Sequence, residues 1–99
     1  MLIVAGTMMI DPGHVERLRS AAIDVVIATR QEDGCHEYVF SEALDDPGRI
    51  EIFEKWESAE HLAAHLETEH VAEFRKELER VQVRSREFYR YEVASAEDM

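Results

Sequence analysis

Residues 34–57, GCHEYVFSEALDDPGRIEIFEKWE, hold two runs of alternating character on either side of a turn. From His36 to Leu44, Tyr38, Phe40 and Leu44 fall on one side and Val39 and Ala43 on the other. From Arg49 to Glu57, Ile50, Ile52 and Trp56 stand against Phe53. A two-residue period is that of a strand, because successive side chains leave opposite faces of a pleated backbone. Asp45-Asp46-Pro47-Gly48 between the runs is turn chemistry: Pro fixes φ and removes a donor, and Gly accepts a reversal of the chain. The stretch predicts an antiparallel hairpin, and the remaining elements have to be arranged around it.

On the N-terminal side, Leu2 to Met9 is an aliphatic run cut off by Asp11-Pro12-Gly13. Asp11 suits a helix cap and Pro12 the first helical position. Val15, Leu18, Ala22, Val25, Val26 and Thr29 then recur at helical spacing, which predicts a helix from about Pro12 to Arg30. Gln31-Glu32-Asp33-Gly34 turns the chain into the hairpin. On the C-terminal side, Ser58 caps a short helix with Ala59, Leu62 and Leu66, and Thr68 caps a second with Val71, Phe74, Leu78 and Val81, unless the two are one broken helix. Gln82 to Val93 returns to a two-residue period, and Ala94 to Met99 is an acidic tail expected to fray. Strand, helix, strand, strand, helix, strand in residues 1–99 is the α+β, split β-α-β order of a single ferredoxin-like domain.

Two helices cover one face of such a sheet. Yet Leu2, Val4 and Met8 lie opposite Ile3, Ala5 and Met9, and Tyr38 and Phe40 lie opposite Val39, so both faces carry apolar residues. A chain of 99 residues has no spare element for the second face, which predicts a homodimer packed sheet to sheet. With 22 Asp and Glu against 11 Lys and Arg, the net charge of −11 argues against nucleic acid or an anionic membrane as partner. The single cysteine, Cys35, allows no internal disulfide and fits a reducing compartment. Met1 to Ile10 lacks a basic leader and is too short to span a bilayer, so a cytoplasmic location is expected.

The run Gly34 to Phe40, then Asp46-Pro47, Ile52 to Ser58, Leu62 and His65, Thr68-Glu69-His70 and Phe74 resembles the central signature of the antibiotic biosynthesis monooxygenase family, in its quinol monooxygenase-like form. The likeness in layout covers about residues 2 to 93, with the informative motif between Gly34 and Phe74. It implies a dimeric α/β barrel with a cavity between sheet and helices in each subunit. Many members of that family oxidise phenols or quinols with molecular oxygen and no metal or flavin. Others degrade haem or isomerise small carbonyl compounds. Haem-degrading relatives carry an asparagine on the first strand, whereas this chain has Ala5, Gly6, Thr7 and Met8 there and no asparagine at all.

His65 borders the apolar stripe of its helix, where a neutral imidazole can take a proton from a phenol or quinol hydroxyl, or simply bond a backbone carbonyl. His61 lies four residues earlier and His70 follows, but Leu62 stands where a zinc-protease helix has its glutamate and no third ligand is placed, so no metal is expected. The motif implies that His70 and Phe74 bound the cavity. Trp56 offers either a flat wall for an aromatic substrate or ordinary core. Glu54, between Ile52 and Trp56, needs a partner, and is read as the anchor of a histidine or arginine, with a base as the alternative. Tyr38 and Phe40, with Tyr89 and Tyr91, line either the cavity or the dimer interface. Arg84, Arg86 and Arg90 share a strand face with Phe88, and Arg86 is the candidate to hold an anionic substrate, against ion pairing or solvation.

Taken with the family resemblance, these residues lead to the expectation of a cofactor-independent monooxygenase acting on a small aromatic substrate, with His65, Glu54 and Trp56 at the reacting centre and Tyr38, Phe40, His70, Phe74 and Arg86 around the substrate. A non-catalytic dimer that binds a small ligand, or an isomerase of a small carbonyl compound, uses the same cavity equally well.

Overall fold

The computed structural model describes residues 1–99 and has four strands and three helices. They are β1 (Leu2–Met9), α1 (Val15–Arg30), β2 (Cys35–Glu42), β3 (Arg49–Trp56), α2 (Ala59–Leu66), α3 (Glu69–Val81) and β4 (Ser85–Glu92). The sheet is antiparallel throughout, in the order β2-β3-β1-β4. This is the ferredoxin-like α+β arrangement that the element order predicts.

Local chemistry sets the corners. The Asp11 carboxylate accepts a 2.9 Å hydrogen bond from the Gly13 N–H, and a single 3-10 turn, Pro12–His14, leads into α1. Gly48 closes the β2-β3 turn at φ +87°, where a side chain would meet the Ile10 carbonyl oxygen, so glycine is required twice over. Ser58 and Thr68 cap α2 and α3 through the N–H groups of His61 and Val71. Thr68 also donates to the His65 carbonyl at 2.7 Å, which makes the break between the two helices a fixed corner.

Two strand boundaries differ from those read in the sequence, and β2 carries an irregularity. β2 ends at Glu42, so Leu44 is not on its inner face but fully exposed in the turn. The cause is the Glu42 carboxylate, which accepts the Gly48 N–H at 3.1 Å and starts the turn early. β4 begins at Ser85, because Gln82 turns left-handed (φ 52°) at the end of α3. Arg84 therefore lies outside the strand and pairs with Asp11 at 3.0 Å. A bulge between Cys35 and Glu37 opens β2, after which Tyr38 stands opposite Glu54 and Phe40 opposite Ile52.

Register assigns the faces. Leu2, Val4, Gly6 and Met8 of β1 stand beside Trp56, Glu54, Ile52 and Ile50 of β3, and this face meets the helices. With Leu18 and Val25 of α1, Leu62 of α2, and Val71, Phe74 and Val81 of α3, these strands form one core. The opposite face carries Ile3, Ala5, Val39, Phe53, Tyr89 and Tyr91, and no element of the chain covers it. No helix is long and apolar enough to cross a membrane.

Candidate functional site

The hairpin, the corner between α2 and α3, and the turn after α1 meet at one end of the helix-facing side of the sheet. His65, on the last turn of α2, points inward and is only 2% exposed. Its imidazole packs on Trp56, with ring centroids 4.7 Å apart, and edge-on against Tyr38 at 5.2 Å. His70, in the first turn of α3, lies 6.1 Å from it, ring to ring. Farther along, Tyr38 stacks on Phe40 at 5.3 Å and Phe40 on Phe74 at 5.4 Å, so an aromatic row joins β2 to α3.

The centre of this cluster is Glu32, a residue that the sequence reading places only in a turn. One carboxylate oxygen, Oε2, lies 2.7 Å from His65 Nδ1 and 2.7 Å from His70 Nε2, with the Glu32 side chain largely shielded from water. Sequence spacing offers no route to this contact, because Glu32 and His65 are 33 residues apart. The inward orientation of both histidines, on either side of the Thr68 corner, brings the three together. A carboxylate accepts, so Nδ1 of His65 donates, and in the neutral imidazole the lone pair then resides on Nε2.

Glu54 is 8% exposed and accepts a 2.9 Å hydrogen bond from the Trp56 Nε1–H. It is an anchor, but for the indole two residues along the same strand face and not for a histidine or arginine. Burial raises its carboxyl pKa above the ordinary value, and the hydrogen bond from Trp56 opposes that rise. Burial, reinforced by the charge of Glu54, likewise raises the pKa of the Tyr38 phenol, which stays neutral. Trp56 has no exposed surface, so in the single chain it is the floor beneath His65 and not an open wall.

Other candidates are placed elsewhere. Arg86 stands opposite Met8, whereas Trp56 stands opposite Leu2, six residues away along β1 or about 20 Å. Arg86 instead lies over the Phe88 ring, 4.9 Å from its centroid. His61 turns away from His65, taking a 2.7 Å contact with the Ser58 hydroxyl and covering Gly34. Tyr89 and Tyr91 lie on the uncovered face of the sheet, separated from Tyr38 and Phe40 by the sheet itself. Burial pushes the Cys35 thiol above its ordinary pKa, away from reactivity. A groove of about 590 Å³ between α1 and α3 has His70 and Phe74 on its wall, beside Asp24, Glu73 and Glu77.

The profile of the antibiotic biosynthesis monooxygenase family matches residues 1–77. The crystal structure of a candidate antibiotic biosynthesis monooxygenase from Deinococcus radiodurans is 32% identical, with a TM-score of 0.91 over 100% of this chain and 98% of that one. A protein from Pseudomonas aeruginosa is 26% identical, with a TM-score of 0.83 over 94% of each chain. One from Nitrosomonas europaea, at 20% identity and a TM-score of 0.88 over 96% of this chain and 100% of that one, shares the fold. No match was found among proteins with curated descriptions.

Proposed function

The chain belongs to the antibiotic biosynthesis monooxygenase family, and from that premise we propose that it is a cytoplasmic homodimer that oxidises a quinol, phenol or similar aromatic with molecular oxygen, without a metal or flavin. The observation that carries this reading is the hydrogen bond from His65 Nδ1 to Glu32, in an aromatic setting of Trp56 and Tyr38. It fixes the tautomer whose Nε2 accepts a proton, and general-base help of this kind contributes about 10²–10⁴-fold. The base takes the hydroxyl proton of the substrate, and the resulting electron-rich anion reduces oxygen. One oxygen atom enters the ring and the other leaves as water, so that a phenol becomes a quinone with atoms and electrons in balance. Aromatic residues exclude water from such an intermediate. His70 and Phe74 lie on the wall of the α1-α3 groove, the side from which a substrate would have to approach the buried His65.

The dimer is proposed to form through the uncovered sheet face, where Val39, Tyr89 and Tyr91 are exposed around Phe53 and Ala5. Arg86 and Phe88, at the far end of the helix-facing side, are proposed as a separate contact for the anionic part of a long substrate.

Oxygen uptake by chelator-treated protein over a panel of quinols and polycyclic phenols tests the reading, with His65→Ala alongside. Uptake above autoxidation that falls about 10²-fold or more in the variant is expected. Uptake that the variant retains sinks the proposed base. No uptake on any compound moves the weight to ligand binding or to carbonyl isomerisation, which needs no oxygen.

A further inference from the structure

We propose that Glu32, His65 and His70 form a binding site for a divalent transition-metal ion such as Zn²⁺, and that an ion held there switches off His65 as a base. The second half rests on the function proposed above; the first stands on geometry alone. Two imidazole nitrogens and a carboxylate oxygen lie within 4.8 Å of one another, brought together from two segments of the chain. Both nitrogens already converge on a single oxygen at 2.7 Å. Around a zinc ion with bonds of about 2.0–2.2 Å the same atoms sit about 3.3 Å apart. A small rotation of the Glu32 carboxylate and closure of the imidazoles reach that arrangement while the fold stays as it is.

The donor set selects the ion. Two imidazoles disfavour Mg²⁺ and Ca²⁺, which require oxygen ligands, and suit Zn²⁺, Ni²⁺ or Fe²⁺. Trp56 and Tyr38 close the inner side of His65, so a fourth position can open only on the side of His70, which is 27% exposed and edges the α1-α3 groove. The chain's net charge of −11 raises the local concentration of cations.

Ion and base exclude each other through one atom. With Nδ1 of His65 on the metal, the ring proton moves to Nε2, and the lone pair that would accept the substrate proton is gone. In the metal-free protein Glu32 holds the proton on Nδ1 and leaves Nε2 free. The triad thus has a protonic state that is active and a metal state that is silent.

Equilibrium dialysis of the full chain against zinc chloride, with bound metal quantified directly, tests the site independently of any turnover. One equivalent per chain is expected in the wild type. Glu32→Gln and His70→Ala should each weaken binding at least about tenfold, since even loss of an outer-sphere partner has that effect. His36→Ala, which breaks the exposed His36–Glu57 pair at 2.6 Å, should leave binding unchanged and so reports on surface sites. Thermal melts give a second reading: zinc raises the wild-type midpoint and leaves Glu32→Gln where it was. No retained zinc, or zinc retained equally by Glu32→Gln and His70→Ala, overturns the site. Oxygen uptake that persists with one zinc bound overturns the switch alone. Zinc bound by a protein that oxidises nothing even when metal-free overturns the proposed function and leaves the site standing.

Discussion

The two faces of the sheet are made by the same alternating strands, yet they hold their aromatic residues in opposite ways. On the helix side Trp56, Tyr38 and His65 are buried in mutual contact, and the Trp56 indole N–H and His65 Nδ1 find partners in Glu54 and Glu32. On the open side Tyr89 and Tyr91 are half exposed, and the Tyr89 hydroxyl bonds only its neighbour Glu87. One face is complete within the chain; the other is an unfinished core. Polar groups buried on a complete face are fixed in place, which is what a proton-transfer site needs. Apolar groups on an unfinished face remain available to a second copy of the chain.

The largest expected effect comes from breaking the complete face. Trp56→Ala removes a fully buried indole and strands the Glu54 carboxylate without its donor. A loss of about 3–5 kcal/mol is expected in urea unfolding, from the cavity and the lost burial together. A loss under about 1 kcal/mol would mean that the cluster is loose and that His65 is not held in one orientation. The open face should respond differently. Phe53 lies between Val39 and Ala5 in the row that ends at Tyr89. Phe53→Glu should weaken association by at least about 2 kcal/mol, as truncation of a central interface anchor does. Light scattering should then report monomer where the wild type reports dimer, with circular dichroism unchanged. A monomeric wild type refutes the sheet-to-sheet dimer.

Periodicity made the hairpin, its turn and both helix caps legible, because each depends on residues that are close in sequence. It also showed that both faces were apolar, since Val39 and Phe53 are as hydrophobic as Tyr38 and Ile52. What it could not show was Glu32. A glutamate in Gln31-Glu32-Asp33-Gly34 looks like any solvated turn residue, and its significance lies in two histidines more than thirty positions away. For Arg86 the reverse holds: its strand face was legible, but the register that sets it opposite Met8, at the far end of the sheet from His65, was not. Glu54 was recognisable as a carboxylate needing a partner, because an acid on an apolar strand face is rare. Its partner, Trp56, was two residues along the same strand, inside the same motif.

Glu54 supplies the smallest and most discriminating test of the contrast between faces, because it asks whether the complete face carries a hidden charge penalty. Burial, the largest influence on this group, raises its pKa above the ordinary 4.5; the Trp56 hydrogen bond and the nearby His65 pull it back in part. A carboxyl with a raised folded pKa keeps its proton after the unfolded chain has released one. Stability therefore falls as pH climbs from about 4.5 through the folded value, and above that window the penalty is constant. Glu54→Gln keeps an acceptor for the Trp56 N–H and removes the charge. As an isosteric change it should shift stability by less than about 1.5 kcal/mol. The midpoint difference between variant and wild type should grow in favour of the variant from pH 4 to pH 7. A difference that is flat across this range would mean that the carboxylate is as comfortable beside Trp56 as in water. A difference that grows in favour of the wild type would mean that the ionised form is stabilised by His65. Glu54 would then belong to the proton network around His65, and not only to the indole it anchors.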